Sequence, residues 1–136
     1  MSTNFDQVCV GDALPPLQLP AVNRHMLALF AGASGDHNPI HVDIDFARRA
    51  GMPDVFAHGM LGMAWLGRLL TQWVPQAQLR RFDVRFQGIT HLGHQIRCQG
   101  VVAEKLVDSR CVRVELQSVN QYGQVRIAGE AIVHLP

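Results

Sequence analysis

A short polar stretch in the first third of the chain gathers the kinds of side chain that acid–base chemistry uses. Asp36, Asn38 and His41 supply a carboxylate, an amide and an imidazole within six residues. Glycine, proline and Asx residues are dense here, which predicts a loop. Pro39 restricts the backbone of Asn38, so that the placement of Asp36 relative to His41 could be fixed. On spacing alone a structural role is favoured, because Asp and Asn in loops often hydrogen-bond their own backbone.

A second cluster follows at the start of the longest apolar run, which extends from Phe56 to Val74. His58 and Gly59 stand here within the sequence Ala-His-Gly-Met-Leu. The first residues of a helix present free backbone N–H groups and a positive dipole end. Gly59 has no side chain to obstruct a ligand, so its N–H could stabilise a developing oxyanion. Taken alone, the cluster is better explained by close packing at Gly59 and by a polar hole that His58 fills.

The histidines of the two clusters also raise the question of a metal site. His37, His41 and His58, with Asp36, offer nitrogen and oxygen ligands, and the spacing of His37 and His41 suits one face of a helix. Pro39 lies between these two histidines, and the sequence shows no ligand scaffold around them. We therefore expect no metal.

Three helices should carry these clusters. Asn23 is expected to cap a short amphipathic helix that fades at Gly32, and a second short helix is expected from Asp43 to Ala50. The run from Phe56 to Val74 is apolar on nearly all sides, which predicts a third helix buried on nearly all sides. Its several glycines indicate that other backbone approaches it closely. Its polar residues argue against a membrane span.

After Pro75 apolar and polar residues alternate, which is typical of half-buried strands in an antiparallel sheet. Strands are expected around 81–86, 96–102, 112–117 and 125–134. The proline-rich segment 12–20 should be extended and lie at a sheet edge. Because the long helix and one face of the sheet both need cover, we expect an α+β fold with the sheet curled around a central helix.

Composition sets the class of protein. The chain has 136 residues, 48% of them hydrophobic and 17% charged, which suits one globular domain. Its net charge of +1 lacks the basic excess of nucleic-acid binders, so no nucleic-acid partner is expected. Three widely spaced cysteines predict neither a disulfide framework nor a zinc ribbon. No secretory signal is evident before Asp12, which leads us to expect a cytoplasmic location.

The two polar clusters together resemble those of a known family. The sequence Ala33-Ser-Gly-Asp-x-Asn-Pro-Ile-His41, followed by Phe56-Ala-His-Gly-Met-Leu61, is similar to the MaoC-like dehydratases, which include the R-specific enoyl-CoA hydratases. Single-domain bacterial subunits that dehydrate 3-hydroxyacyl thioesters look most similar. The resemblance covers essentially the whole chain, residues 1–136, as a single MaoC-like domain.

The resemblance implies a hotdog fold, in which an antiparallel sheet wraps a long central helix. Two protomers would join through a continuous sheet into a homodimer, with a heterodimer as the alternative. The implied reaction is the reversible hydration of trans-2-enoyl thioesters to (R)-3-hydroxyacyl thioesters of coenzyme A or acyl carrier protein, with no cofactor and no membrane partner.

The resemblance also assigns roles to the residues of the two clusters. Asp36 and His41 would activate one water molecule, with the assignment of base and acid left open. Asn38 would orient that water, and the Gly59 N–H would hold the thioester oxygen. The expected substrate-binding residues, for which core packing is the alternative, are Phe56, His58, Met60 and Met63, with Trp65 and Leu66 as further candidates for the lining of the acyl pocket.

The sequence departs from the family pattern at His94, where the family usually has Asp, and this concerns a loop at the rim of the pocket. Arg80, Arg81 and Arg85 could meet phosphates of the carrier arm, although a solvated strand face is favoured. Two other functions remain open: a hotdog thioesterase, and a non-catalytic subunit of a heterodimeric dehydratase.

Overall fold

The computed structural model of the protein describes residues 3–136. Three α-helices occupy the first half of this range and most of the sheet lies in the second. The helices are α1 (Arg24–Ser34), α2 (Ile44–Arg49) and α3 (Gly59–Trp73). The strands are β1 (Leu17–Gln18), β2 (Leu79–Phe86), β3 (Arg97–Leu106), β4 (Cys111–Val119) and β5 (Val125–His134).

The five strands form one antiparallel sheet in the order β1-β3-β4-β5-β2. The predicted alternation is clearest on β4, where Val112, Val114 and Leu116 are buried and Glu115 is exposed. The proline-rich segment supplies β1, a two-residue strand at one edge, as expected for residues that prolines flank. The other edge is β2, which pairs only with β5.

Strand β2 is less buried than its alternating pattern predicts. Phe82 and Val84 are only half-buried, and Phe86 is 53% exposed. The pattern correctly places these side chains on one face of the sheet. Their cover is incomplete because β2 is an edge strand, and no other strand of residues 3–136 pairs with its free side.

Helix α3 crosses the sheet and contacts β2, β3 and β4. Its buried face carries Leu61, Trp65, Leu66, Leu69 and Leu70. The prediction that the helix is buried on nearly all sides is wrong for this chain on its own. An exposed row, spaced by four residues along the helix, faces away from the sheet: Met60, Ala64 and Arg68.

The glycines of α3 permit close approach, as predicted, but the atoms that approach them belong to side chains rather than backbone. An added methyl at Gly59 would lie 3.1 Å from the Phe86 ring. At Gly62 it would lie 2.5 Å from the end of Ile127. The missing side chains at Gly59 and Gly62 therefore allow α3 to pack closely against Phe86 of β2 and Ile127 of β5.

The first short helix begins at the expected cap, Asn23, and the second begins one residue after Asp43. The Asn23 side chain accepts a hydrogen bond from the Met26 N–H at 2.8 Å, and Asp43 caps α2 in the same manner. Helix α1 continues past Gly32 and ends at Gly35, whose φ of 75° is left-handed. The predicted loop is therefore shorter than expected, and its last three residues, Pro39–His41, form a 3₁₀ turn.

One apolar core joins α3 to the sheet, and Cys98 belongs to it. Burial raises the pKa of the Cys98 thiol to about 12, which is the behaviour of an apolar structural cysteine. Cys9, by contrast, is exposed. Within residues 3–136 no helix is long and apolar enough to cross a membrane.

Candidate active site

Asp36 and His41 face each other across a short gap. The Asp36 Oδ2 and the His41 Nε2 lie 4.0 Å apart. The Asp36 side chain is 48% exposed, whereas that of His41 is 10% exposed. A direct hydrogen bond needs a shorter distance, but one water molecule can bridge two polar atoms at this separation. The two groups can therefore act on one water molecule.

Local hydrogen bonds shape the turn that presents Asp36. Its backbone N–H donates to the Ser34 Oγ at 3.1 Å, and its Oδ1 accepts the Asn38 N–H at 3.3 Å. This Asx-type turn uses one carboxylate oxygen and leaves Oδ2 to face His41. The turn follows directly from the left-handed Gly35 that ends α1.

His41 is oriented by the segment that leads into α3. Its Nδ1 lies 2.7 Å from the Phe56 carbonyl oxygen, and the Phe56 ring meets the imidazole edge to face. A carbonyl oxygen can only accept, so Nδ1 carries a proton. In the neutral ring Nε2 then holds the lone pair, and Nε2 is the nitrogen that faces Asp36.

Asn38 takes part in the turn itself. Its side-chain oxygen accepts the Ile40 N–H at 3.1 Å and caps the 3₁₀ turn. The oxygen is therefore engaged, and only the amide NH₂ group is left to contact a water molecule. The role of Asn38 in orienting water stays a prediction.

Gly59 is the first residue of α3 and presents its backbone at the wall of a cavity. His58, at the N-cap, makes no side-chain capping hydrogen bond to the described residues. Of the first N–H groups of this 15-residue helix, that of Leu61 donates to the His58 carbonyl, whereas the Gly59 N–H at the positive end of the helix dipole has no capping side chain among the described residues. This geometry suits the stabilisation of a negatively charged oxygen.

The cavity has a volume of about 350 Å³ and lies between α3 and the strands β2 and β5. Phe56 and His58, two of the expected substrate-binding residues, line it together with Gly59 and Trp65. Met60, Met63 and Leu66 lie outside its lining; Met60 is 55% exposed and Leu66 is buried in the core. Asp36 and His41 are not part of the wall either, and they are linked to it through His58.

Sequence reasoning missed one side of this cavity. It is formed by the end of β2, the residues that follow it and one residue of β5: Phe86, Gln87, Gly88, Ile89, Thr90 and Ile127. The atypical loop before His94 was a signal for this side, since it was already placed at the pocket rim. The basic residues Arg80, Arg81 and Arg85 do not line the cavity and are exposed, in line with a solvated strand face.

His58 is the most buried polar residue of the site, at 2% exposure. Its ring stacks on that of His41, with centroids 3.8 Å apart and planes at 26°. Its Nε2 lies 3.3 Å from the Asp36 carbonyl oxygen, whereas its Nδ1 is buried with no partner among the described residues. Burial, and next the neighbouring His41, lower the pKa of His58 below the ordinary value for histidine.

The donor atoms of Asp36, His41 and His58 all lie within 4.8 Å of one another, which invites a test of metal binding. The two imidazoles are stacked almost face to face, so their lone pairs lie in nearly parallel planes and do not converge on one point. His37, the remaining candidate ligand, is exposed. The donor set fits a metal ion poorly.

Comparison with known proteins identifies the family of this arrangement. The model of the MaoC-like domain matches residues 12–122. The (R)-specific enoyl-CoA hydratase of Aeromonas caviae is 28% identical over 113 residues, which cover 81% of this chain and 84% of that protein. The mitochondrial 3-hydroxyacyl-[acyl-carrier-protein] dehydratase of Arabidopsis thaliana is 26% identical, over 93% of this chain and 77% of that protein.

Solved structures agree with this assignment. The R-hydratase PhaJ1 from Pseudomonas aeruginosa superposes with a TM-score of 0.85 at 28% identity, covering 98% of this chain and 85% of that one. Some other matches are longer proteins, and the chain spans 43% of one and 7% of another. The sheet with its crossing helix is the hotdog fold, as the resemblance implied. The chain belongs to the MaoC-like domain family.

Proposed function

We propose that the protein is a hydro-lyase that reversibly hydrates trans-2-enoyl thioesters to (R)-3-hydroxyacyl thioesters, carried on coenzyme A or acyl carrier protein. The observation that carries this proposal is the 4.0 Å separation of the Asp36 Oδ2 and the His41 Nε2, which accommodates one water molecule. Relatives named as (R)-specific enoyl-CoA hydratases and 3-hydroxyacyl-thioester dehydratases support it.

The reaction begins with Asp36 as a carboxylate and His41 as an imidazolium, so that the pair holds one transferable proton. Asp36, half open to solvent, meets the incoming water and removes one proton as the water oxygen bonds to C3. The Nε2–H of the His41 imidazolium gives a proton to C2, where the electrons of the double bond have moved. Once the product has formed, Asp36 is a protonated carboxyl and His41 is a neutral imidazole. A proton then passes from Asp36 back to His41. Both groups act from one side, so H and OH add to the same face.

The backbone of Gly59 completes the mechanism. As C3 is attacked, negative charge develops on the thioester oxygen, and the free Gly59 N–H at the start of α3 donates to it. Removing one such donor typically costs about 10²–10³ in turnover. The neighbouring cavity of about 350 Å³ provides an apolar place for the first carbons of the acyl chain.

Replacement of either acid–base residue tests this function. We expect Asp36→Asn and His41→Ala each to lower the hydration rate of crotonyl-CoA by about 10² or more, because each removes one partner of the proton transfer. The loss of the ultraviolet absorbance of the enoyl thioester measures the rate. His37→Ala is the matched control, since His37 is an exposed imidazole in the same turn and should leave the rate unchanged.

The outcomes separate this function from its alternatives. Rates like those of the wild type in both variants would contradict the assignment. Release of free thiol from acyl-CoA would identify a thioesterase. Activity that arises only after a second subunit is added would identify a non-catalytic partner. Short and long enoyl-CoA substrates, compared with acyl carrier protein versions, would identify the preferred carrier and chain length.

We further propose that the chain works as a homodimer and in the cytoplasm. The free edge of β2, together with the exposed Phe86 and Met60 beside the cavity, supports a partner at this side of the molecule. A heterodimer is the alternative. Cell fractionation and the mass of the particle in solution test the two statements separately.

A further inference from the structure

Phe56, His58 and Gly59, at the entry to α3, connect the two acid–base residues to the proposed oxyanion donor. The Phe56 carbonyl receives the Nδ1 proton of His41, and Gly59 supplies the N–H at the helix start. Between them, His58 reaches the Asp36 carbonyl with its Nε2. One short segment thereby sets the positions of the carboxylate, the imidazole and the amide relative to one another.

Asp36 is tied to this segment by one hydrogen bond, from His58. Its other hydrogen bonds go to Ser34 and Asn38, which belong to the same turn. Within residues 3–136 the contact with His58 is the hydrogen bond that ties Asp36 to a distant part of the chain. The turn itself is exposed to solvent. Loss of this bond would therefore let the carboxylate move relative to the fixed His41.

The chemistry of His58 argues that it is more than a space-filling residue. A carbonyl oxygen only accepts, so a neutral His58 carries its proton on Nε2 and leaves a lone pair on Nδ1. That Nδ1 is buried without a partner, which costs free energy. A phenylalanine ring would fill the same space and stack on His41 without this cost. The Nε2–H bond is what an imidazole provides and a phenyl ring does not.

We propose that His58 is a positioning residue. Its Nε2–H donates a hydrogen bond to the Asp36 carbonyl oxygen and thereby keeps the Asp36 carboxylate at its position opposite the His41 imidazole. This inference rests on the proposed function above and revises the expectation that His58 binds substrate. Its Nε2 bonds the Asp36 carbonyl and its Nδ1 is buried, so neither nitrogen is placed to bind substrate. His58 therefore acts on the reaction through Asp36 and His41.

Two variants separate the hydrogen bond from the ring. His58→Gln places an amide N–H near the position of Nε2, whereas His58→Phe keeps the stacked ring and removes the donor. We expect kcat of His58→Phe to fall about 10²-fold with KM changed by less than about threefold, because a displacement near 1 Å costs that much. His58→Gln should recover kcat to within about tenfold of the wild type. Wild-type kcat in His58→Phe would overturn the proposal, and so would an equal loss in both variants.

A measurement without turnover keeps this test independent of the proposed function. Long-range ¹H–¹⁵N NMR spectra of the wild-type protein should show His58 neutral, with its proton on Nε2. A proton on Nδ1 would overturn the positioning role whether or not the protein hydrates enoyl thioesters. Absence of hydration by the wild type, together with the Nε2–H form, would instead refute the function and leave the hydrogen bond in place. Thermal unfolding of both variants shows whether each is folded.

Discussion

His94 shows how a single buried imidazole can make the rim of the cavity sensitive to pH. Its Nδ1 accepts the His91 N–H at 3.1 Å and so holds the loop between β2 and β3. Burial, followed by the charges of His91 and Arg126, lowers the pKa of His94. Protonation would replace this acceptor with a donor and break the bond. The family's usual Asp at this place would also offer an acceptor.

The sign of the pH dependence follows from this lowered pKa. The unfolded chain binds a proton at His94 below about pH 6.5, whereas the folded chain binds it only at lower pH. The contribution of neutral His94 to the free energy of unfolding is therefore fully present above that pH and is lost as the pH falls. We expect the free energy of unfolding to decrease from about pH 7.5 to about pH 5.5. His94→Asn, which keeps an acceptor that does not titrate, should reduce this decrease. Urea unfolding at the two pH values measures it.

A matched exposed histidine provides the control for His94. His25 lies on the surface of α1, and His25→Asn should leave the pH dependence of stability as it is in the wild type. Part of the decrease should persist in His94→Asn, because burial also lowers the pKa of His58. An identical pH dependence in His94→Asn and the wild type would contradict the role of the His94 bond.

At the residue scale, spacing alone favoured a structural role for Asp36 and His41, and the resemblance to the family suggested that they act together. Their closeness depends on a local turn. The contact of His58 with Asp36 joins residues 22 apart and depends on how α3 meets the turn. Met60 and Met63 were expected to line the cavity, but a helix that is apolar on nearly every side does not reveal which face points inward.

At the element scale, the pairing of β2 with β5 depends on a glycine. Gly129 lies opposite Val84 in the ladder, and an added methyl would lie 2.7 Å from the Val84 Cα and would also meet the Asp83 carbonyl. Backbone cannot give way as a flexible side chain can, so we expect Gly129→Ala to reduce the free energy of unfolding by about 1–3 kcal/mol. Urea denaturation measures the change.

The control for this substitution is a glycine with open space around it. An added methyl at Gly32, on the exposed side of α1, meets no atom of the described chain within 4 Å outside the neighbouring backbone of its own helix. Gly32→Ala should stabilise the protein by up to about 1 kcal/mol, because alanine favours helix more than glycine does. A Gly129→Ala variant as stable as the wild type would show that β2 and β5 can separate without cost.

The elements themselves were predictable where local pattern decides them. Alternation located β2 to β5, and Asn23 and Asp43 marked helix starts, since both signals act over a few residues. The burial of β2 was not predictable in the same manner. Its pattern is that of a half-buried strand, whereas its position at the sheet edge is set by pairing with β5, at the far end of the chain.

At the scale of the whole molecule, three of the exposed apolar side chains lie at or beside the cavity. Met60 on α3, Phe86 at the end of β2 and Ile89 beyond it are 55%, 53% and 39% exposed, and the last two line the cavity. The unpaired edge of β2 runs along the same side. Exposed edge strands are usually covered or paired, and a second copy that pairs along β2 would cover this patch and close the cavity.

Substitution of Met60 tests this arrangement. We expect the wild-type protein to have twice the mass of one chain in analytical ultracentrifugation. Met60→Glu should shift it toward the monomer, because a buried unpaired charge at an interface is unfavourable. Val107→Glu is the control: Val107 is 71% exposed in the turn between β3 and β4, so the same change should leave the mass unaltered. A wild-type monomer, or a Met60→Glu dimer as stable as that of Val107→Glu, would place the partner elsewhere or remove it.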